Sequence, residues 1–381
     1  MLAYYPEIMD TQNKKRVCQV ITELAPGGAE RLVYQLATML DPELFEVEVA
    51  CLKGGAIADQ LSAAGVKVHD LKVRGKWDIL RAKQMKKVLA AGDFDLVHTH
   101  LFHADYFARP AAFKLGVPVV HTVHCLEKRA RSMQFRFAQK HAGQCAKTVC
   151  VSQAVRDFYM QKTGLPEEKL SVIYNGVDTE KFYVDDAAKE ASLWDLDIFS
   201  EDVIVVYAGR LHFDKGIDLL LDAILKMVDD ENCPLFLIAG SGELERLVNR
   251  ACVRLRTDRI RFLGYRSDVE KILAAGDIFA CPSRTEGFGL SALEAMSAGL
   301  SVVASRVDAL PELIQSGKTG LLTEPGNVES LVKALRALVA NENMRKMLGQ
   351  NAREKACEDF SLAKTIEKHQ TLYLETLQRK L

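Results

Sequence analysis

The chain has 381 residues, 48% of them hydrophobic, which is enough for two domains of ordinary size with a core each. A formal net charge of −1 gives no global attraction for nucleic acid, and nine cysteines without a C-x2-C pair fit a reduced cytoplasmic protein better than a disulfide framework or a zinc ribbon. No apolar run approaches the roughly 18 residues needed to span a bilayer, so the expectation is a soluble or peripheral protein.

Residues 1–16, MLAYYPEIMDTQNKKR, lack an apolar core and read as a short polar extension instead of a signal peptide. VCQVIT at 17–22 predicts a buried strand, followed by a turn at Ala25, Pro26, Gly27 and Gly28 and a helix from near Ala29. Strand-like runs then alternate with helical stretches: FEVEVACL, VKVHDL, FDLVHTH, VPVVHTVH and KTVCVS. That alternation predicts a parallel sheet with helices on both faces, and such sheets bind ligands beyond the carboxyl ends of their strands. At the first of these ends, Gly27 and Gly28 let the backbone approach a ligand closely, at a helix start that favours an anion. The dinucleotide fingerprint G-x-G-x-x-G is absent, which speaks against a dehydrogenase.

Five histidines fall at strand ends: His98, His100, His103, His121 and His124. No carboxylate or cysteine completes a metal site around them at a recognisable spacing, so no metal is assigned and most of them read as hydrogen-bonded structural groups. Two stretches are locally basic. In one, Trp77, Leu80, Met85 and Val88 form an apolar stripe opposite Lys76, Lys83, Lys86 and Lys87. In the other, Lys128, Arg129, Arg131, Arg136 and Lys140 are interleaved with Met133, Phe135 and Phe137. Each is either a solvated helix face or a surface for anionic lipid headgroups or a phosphate-bearing acceptor.

Just before the middle of the chain, Asn175-Gly176 is a turn signal after a strand and a natural joint between two lobes. A second series of strands and helices starts at VIVVYAGR. Arg210 follows the strand and Lys215-Gly216 opens the next helix; two cations near one strand end suit phosphate oxygens. PLFLIAGSGE ends in Gly240, Ser241 and Gly242, where backbone can again approach a phosphate or ribose, and Tyr265 and Arg266 follow the next strand. RTEGFGLSALEAMSA at 284–298 then reads as a loop turning into a helix, with Glu286 before the glycines and Glu294 about one and a half turns in. Acceptors around a helix start suit a ligand carrying both phosphates and hydroxyls. An ordinary strand–turn–helix with solvated glutamates is the plainer alternative.

EGFGLSALEAM resembles the E-x7-E signature of retaining glycosyltransferases of GT-B fold, family 4. GGAE at 27–30, HTVH at 121–124, VIYNGVD at 172–178 and GRLHFDKG at 209–216 resemble further motifs of that family, in its order, and the likeness runs from Val17 onward. The resemblance implies two Rossmann-like, doubly wound parallel-sheet α/β domains facing across a cleft. An acceptor-side domain would span 17–178, completed by a crossover helix at 361–381, and a nucleotide-sugar domain would span 179–360. It implies that His124 faces donor sugar and acceptor, that Glu286 contacts the transferred sugar, and that Arg210 and Lys215 hold the diphosphate. Gly27, Gly28 and the amides of Phe288, Gly289 and Leu290 would hold diphosphate or sugar. Glu294 would bind the ribose, with Tyr265, Arg266 and Gly240 around ribose and base. Asp93-Phe94-Asp95 is formally D-x-D, the metal motif of the other glycosyltransferase fold, but it precedes a strand and reads as a solvated turn.

The implied reaction is transfer of a hexosyl group from a UDP-sugar or GDP-mannose to a hydroxyl, a lipid-linked one included, with retained configuration and no metal or other cofactor. The implied setting is the cytoplasm or the inner face of the membrane, in envelope polysaccharide or glycolipid synthesis. Ala309-Leu310 departs from the Gly-Gly pair of many relatives. A nucleotide-sugar epimerase of the same architecture and a catalytically silent nucleotide-sugar-binding subunit are the alternatives, and intact Glu286, Arg210 and Lys215 speak against the second.

Overall fold

A computed structural model describes residues 14–72, 79–126, 132–199, 201–255 and 258–378. Residues 1–13 of the expected extension lie outside that range, as do Lys76, Trp77, Lys128, Arg129, Arg131 and the side chain of Leu80. The chain divides into two compact units. Unit 1 holds residues up to Val151, Val155–Ile173 and Thr365–Leu381; unit 2 holds Ser152–Ala154 and Tyr174–Lys364.

Unit 1 alternates strand and helix throughout: β1 Lys15–Glu23, α1 Gly28–Met39, β2 Phe45–Lys53, α2 Ala56–Ala63, β3 Val68–Asp70, α3 Ile79–Gly92 and β4 Leu96–His100, then α4 Phe102–Lys114, β5 Val119–Val123, α5 Ser132–Lys140, β6 Lys147–Cys150, α6 Gln153–Thr163 and β7 Leu170–Val172. Its seven strands are parallel in the order β3-β2-β1-β4-β5-β6-β7. The two edge strands have only three residues each, shorter than the apolar runs that announce them, as suits strands with one unpaired side. The Asp93-Phe94-Asp95 turn is more than solvated: Asp95 Oδ2 accepts the Arg16 N–H at 2.8 Å and pins the start of β1.

Side chains alternate across this sheet with a period of two. Cys18, Val20, Ala50 and Val97 face Met85 and Leu89 of α3 and Ala104, Phe107 and Ala108 of α4. Ile21, Val49 and Cys51 face the opposite way, toward Val33 of α1 and Leu61 of α2. Gln19 shares this second face, and β4 brings His98 and His100 beside it, because the register pairs Gln19 with His98 and Ile21 with His100.

Unit 2 runs α7 Asp186–Asp195, β8 Ile204–Ala208, α8 Ile217–Met227, β9 Leu235–Ala239, α9 Glu245–Leu255, β10 Ile260–Gly264, α10 Val269–Ala275 and β11 Ile278–Cys281. It continues with α11 Leu290–Ser297, β12 Ser301–Ser305, α12 Leu310–Leu313, β13 Leu321–Thr323, α13 Val328–Ala340 and α14 Glu342–Asp359. The sheet order is β10-β9-β8-β11-β12-β13, again parallel. Helix α8 buries Ile217, Leu220, Leu221, Ile224 and Met227, the one-sided spacing of a helix laid on a sheet. Each such side chain removed from water stabilises by roughly 1.5–3 kcal/mol. A final helix, α15 Leu362–Gln378, enters unit 1 from Thr365 onward. No described helix is long and apolar enough to cross a membrane.

Candidate active site

In unit 2 the strand order reverses between β8 and β11, and ligands of such sheets bind where the order reverses. The loops after these two strands are zipped together. The Arg284 N–H donates to the Asp214 carbonyl at 2.8 Å. The Arg284 guanidinium makes two 2.7 Å bonds to the Asp218 carboxylate and lies 3.7 Å from the Phe213 ring centroid. Gly216, with φ +68°, comes so close to Pro282 that a Cβ there would sit 1.9 Å from the Pro282 carbonyl oxygen. Helix α8 accordingly starts after Gly216, behind a single 3-10 turn at Phe213–Lys215.

This apposition sets Lys215 Nζ 2.6 Å from Glu286 Oε2, on a carboxylate only 8% exposed. Ser283 Oγ donates to the same oxygen at 3.3 Å. The Glu286 backbone is held from its other side, where its N–H donates at 3.0 Å to Asp308 Oδ2, which also accepts the Thr285 hydroxyl at 2.7 Å. Asp308 adopts φ +46°, a left-handed conformation that aspartate tolerates better than bulky residues do.

Arg210 is exposed and makes no ion pair among the described residues; the Tyr207 hydroxyl donates to its carbonyl at 2.9 Å. Helix α11 begins at Leu290 behind Gly289, which has φ +101° and offers no side-chain cap. Its first backbone bond runs from Leu293 N–H to the Gly289 carbonyl, so three earlier amides have no helical acceptor. Phe288 turns its ring inward against Tyr174 and Phe360, leaving its backbone as the part that can meet a ligand. Glu294 is buried one turn into α11.

Other expected contacts look different in the structure. The close approach that Gly240 permits is to its own chain: with φ +145°, a Cβ would lie 1.9 Å from the Gly209 carbonyl oxygen. Arg266 pairs with Asp268 through bonds of 2.8 and 2.7 Å, and Tyr265 stands 63% exposed beside it. Gly27 and Gly28 are exposed at the head of α1 in unit 1, where Gly27 is an N-cap without a side-chain bond.

Unit 1 collects the histidines into two polar clusters on opposite faces of its sheet. On the α4 face, the Thr99 hydroxyl donates to Asp105 at 2.7 Å, and Arg109, 1% exposed, donates to the same carboxylate at 2.9 Å. Burial raises the Asp105 pKa, but Arg109, His121 and Thr99 outweigh it and hold it below the usual carboxylate range. His121 joins this cluster through Thr99, and burial brings its pKa down to about 4.

On the other face, His98 Nδ1 lies 2.5 Å from the Tyr373 hydroxyl of α15, and its Nε2 lies 2.7 Å from Thr122 Oγ1. Gln19 Nε2 donates to the same tyrosine at 2.8 Å, while its Oε1 lies 2.7 Å from His100 Nε2. His100 Nδ1 lies 3.0 Å from His124 Nε2. Burial lowers the pKa of His98 and His100 well below 6.5, and that of His369 on α15 to about 4. His124 keeps part of its surface open, yet burial in this dense cluster, followed by its histidine neighbours, lowers it to about 3. All are neutral at pH 7. His124 also lines a cavity at the carboxyl ends of β4 and β5, with Leu101, Phe102, Phe135, Phe137 and Phe158 among its other walls. His103 lies on α4, edge-on to Phe102.

The residues that sequence inspection missed are Gln19, Tyr373, Asp105, Arg109 and Asp308. The available signal was polar residues interrupting otherwise apolar strands at every second position, as Gln19, His98 and His100 do. Among the described residues, no group of three His, Cys, Asp or Glu is arranged to hold a metal ion.

Comparison with known proteins matches the family description Glycosyltransferase Family 4 to residues 26–181 and Glycosyl transferases group 1 to residues 188–355. The UDP-Gal:alpha-D-GlcNAc-diphosphoundecaprenol alpha-1,3-galactosyltransferase of Escherichia coli is 28% identical, over 97% of this chain and 99% of its own. The D-inositol 3-phosphate glycosyltransferase of Corynebacterium efficiens is 30% identical, over 74% of this chain and 72% of its own. The crystal structure of Anabaena Alr3699/HepE in complex with UDP aligns with a TM-score of 0.84 at 23% identity, covering 94% of this chain and all of that one, which speaks to the fold.

Proposed function

The chain belongs to glycosyltransferase family 4 and has that family's GT-B fold, and we propose that it retains the anomeric configuration of the hexosyl group it moves. The donor is a nucleotide-diphosphate sugar, with UDP-sugars favoured over GDP-mannose because the E. coli relative is named for a UDP-linked galactose. That relative's name also carries a diphosphoundecaprenol-linked acceptor, which supports a lipid-linked hydroxyl acceptor, envelope synthesis and work at the inner face of the membrane.

The observation that carries this reading is the meeting of Lys215 with Glu286 where the sheet order of unit 2 reverses, with Arg210 exposed after β8 and the first amides of α11 lacking helical acceptors. As the sugar–phosphate bond breaks, negative charge grows on the diphosphate. Fixed cations and amides stabilise that charge more than they stabilise the bound substrate, which is what lowers the barrier. Arg210 forks onto phosphate oxygens, Lys215 adds a point charge, and the amides at 288–290 complete the cradle. A metal ion would neutralise the same charge, so the reading is metal-free transfer. Glu286, relieved of Lys215 when the diphosphate takes that cation, accepts hydrogen bonds from the sugar. Glu294, Gly240, Tyr265 and Arg266 serve the ribose and base, and Gly27 and Gly28 give the amides of α1 to the donor. In unit 1, His124 meets a substrate hydroxyl.

Thermal-shift measurements with UDP, UDP-hexoses and GDP-mannose test this directly, because a ligand bound only by the folded state raises Tm. A UDP-hexose should raise Tm, and turnover in the presence of chelator should yield a product of unchanged anomeric configuration. A chain whose Tm moves with no nucleotide or sugar nucleotide is not this enzyme, and turnover lost in chelator and restored by metal overturns the metal-free step.

A further inference from the structure

Gln19, His98, His100, Thr122 and Tyr373 are at most 1% exposed, so every polar atom they carry must find a partner inside unit 1. Those partners form one continuous chain: Thr122, His98, Tyr373, Gln19, His100 and His124. The chain has a direction. Gln19 Oε1 can only accept, so His100 Nε2 carries the hydrogen. A neutral imidazole has one N–H, so His100 Nδ1 is a lone pair and His124 Nε2 donates to it. From the other end of the same amide, Gln19 Nε2 donates to the Tyr373 hydroxyl, which donates in turn to His98 Nδ1. His98 Nε2 then donates to Thr122 Oγ1.

Along Gln19, His100 and His124, reversing one link alone would set two lone pairs or two N–H groups face to face in a buried site, a loss of about 1–3 kcal/mol. Those links therefore hold or reverse together, and the Gln19 amide decides which. Five steps away from Thr122, the outcome is written on His124, which lines a cavity.

We propose that Gln19, His100 and Tyr373 are positioning residues that fix His124 as the Nε2–H tautomer, so that its Nδ1 meets substrate as a hydrogen-bond acceptor for a hydroxyl. This rests on the reading above that His124 touches substrate. Buried and with its pKa near 3, the ring is a poor base at pH 7, so it orients the hydroxyl and does not take its proton. An acceptor nitrogen selects hydroxyl-bearing groups over carbonyl or ether oxygens at that point, because an oxygen without a hydrogen would meet a lone pair.

The full-length wild-type protein, labelled with 15N-histidine, carries the first test, since long-range 1H–15N spectra distinguish Nε2–H from Nδ1–H imidazole. His98, His100 and His124 should be Nε2–H tautomers. His369, whose Nδ1 lies 2.9 Å from the Thr365 carbonyl, should be Nδ1–H and serves as internal contrast. An Nδ1–H or charged His124 overturns the proposal without need of any variant. Tyr373→Phe tests the coupling: it removes the link between Gln19 and His98 and should give a mixed His124 tautomer and a kcat lower by about tenfold, with donor KM within about twofold. An unmixed His124 tautomer with wild-type kcat in Tyr373→Phe also overturns it. Failure of any sugar nucleotide to bind sinks the transferase reading instead, and the tautomer spectrum tells the two failures apart.

Discussion

One carboxylate oxygen, Oε2 of Glu286, takes bonds from Lys215 Nζ and Ser283 Oγ, while Asp308 fixes the backbone behind it. None of these partners is adjacent in sequence to all the others, and Lys215 is 71 residues away. Their type and their place at strand ends were legible in the sequence, as cations and a carboxylate after predicted strands. Their contact was not, because it depends on Gly216 lying against the Pro282 carbonyl, a packing event that no local pattern encodes. Gly240 shows the same limit, since its lack of a Cβ answers the close approach of the Gly209 carbonyl, which no local pattern encodes. Replacing Glu286 with Gln, or Arg210 or Lys215 with Ala, should lower kcat by on the order of a hundredfold or more, the scale for losing a preorganised electrostatic contact. Steady-state rates at saturating donor read this out. Rates within threefold of wild type in all three variants would remove these residues from the reaction.

At the level of elements, the alternation of strands and helices was readable nearly everywhere, because a buried parallel strand needs a continuous apolar run. Where the runs are broken by polar groups, the two faces of one strand part company: Thr99 joins Asp105 and Arg109 under α4, while His98 and His100 join Gln19 and Tyr373 under α15. The buried histidines make the sheet of unit 1 sensitive to acid. Each has a folded pKa below its unfolded value of about 6.5, so the unfolded chain binds more protons as pH falls. Their stabilisation is complete above pH 6.5 and is lost on the way down toward pH 4 and 3. Between pH 7.5 and 5.5 the loss for five such groups is several kcal/mol, and Tm should fall by more than about 5 °C. Calorimetry across that range checks it; a Tm that is flat or rises toward pH 5.5 contradicts neutral, buried rings.

Across the whole molecule, the same plan appears twice, a parallel sheet with its order reversed at the centre. The pairing of Gln19 with Tyr373 spans 354 positions, which is why composition and periodicity had nothing to say about it. Removing residues 365–381 should cost unit 1 its ordered fold, because Tyr373 and His369 leave the buried face of β1 and β4 with unpaired polar groups. Limited proteolysis of the truncated chain should cut between β1 and β7 at rates far above wild type. Equal protection there would mean that the helix only decorates the sheet.

That long closure also bears on how the protein is made. Most of unit 2 lies in one stretch of chain and can condense as soon as it leaves the ribosome, whereas unit 1 waits for its final helix. During synthesis, the strands of unit 1 carry an unfinished sheet face studded with histidines until unit 2 has emerged and α15 can seal it.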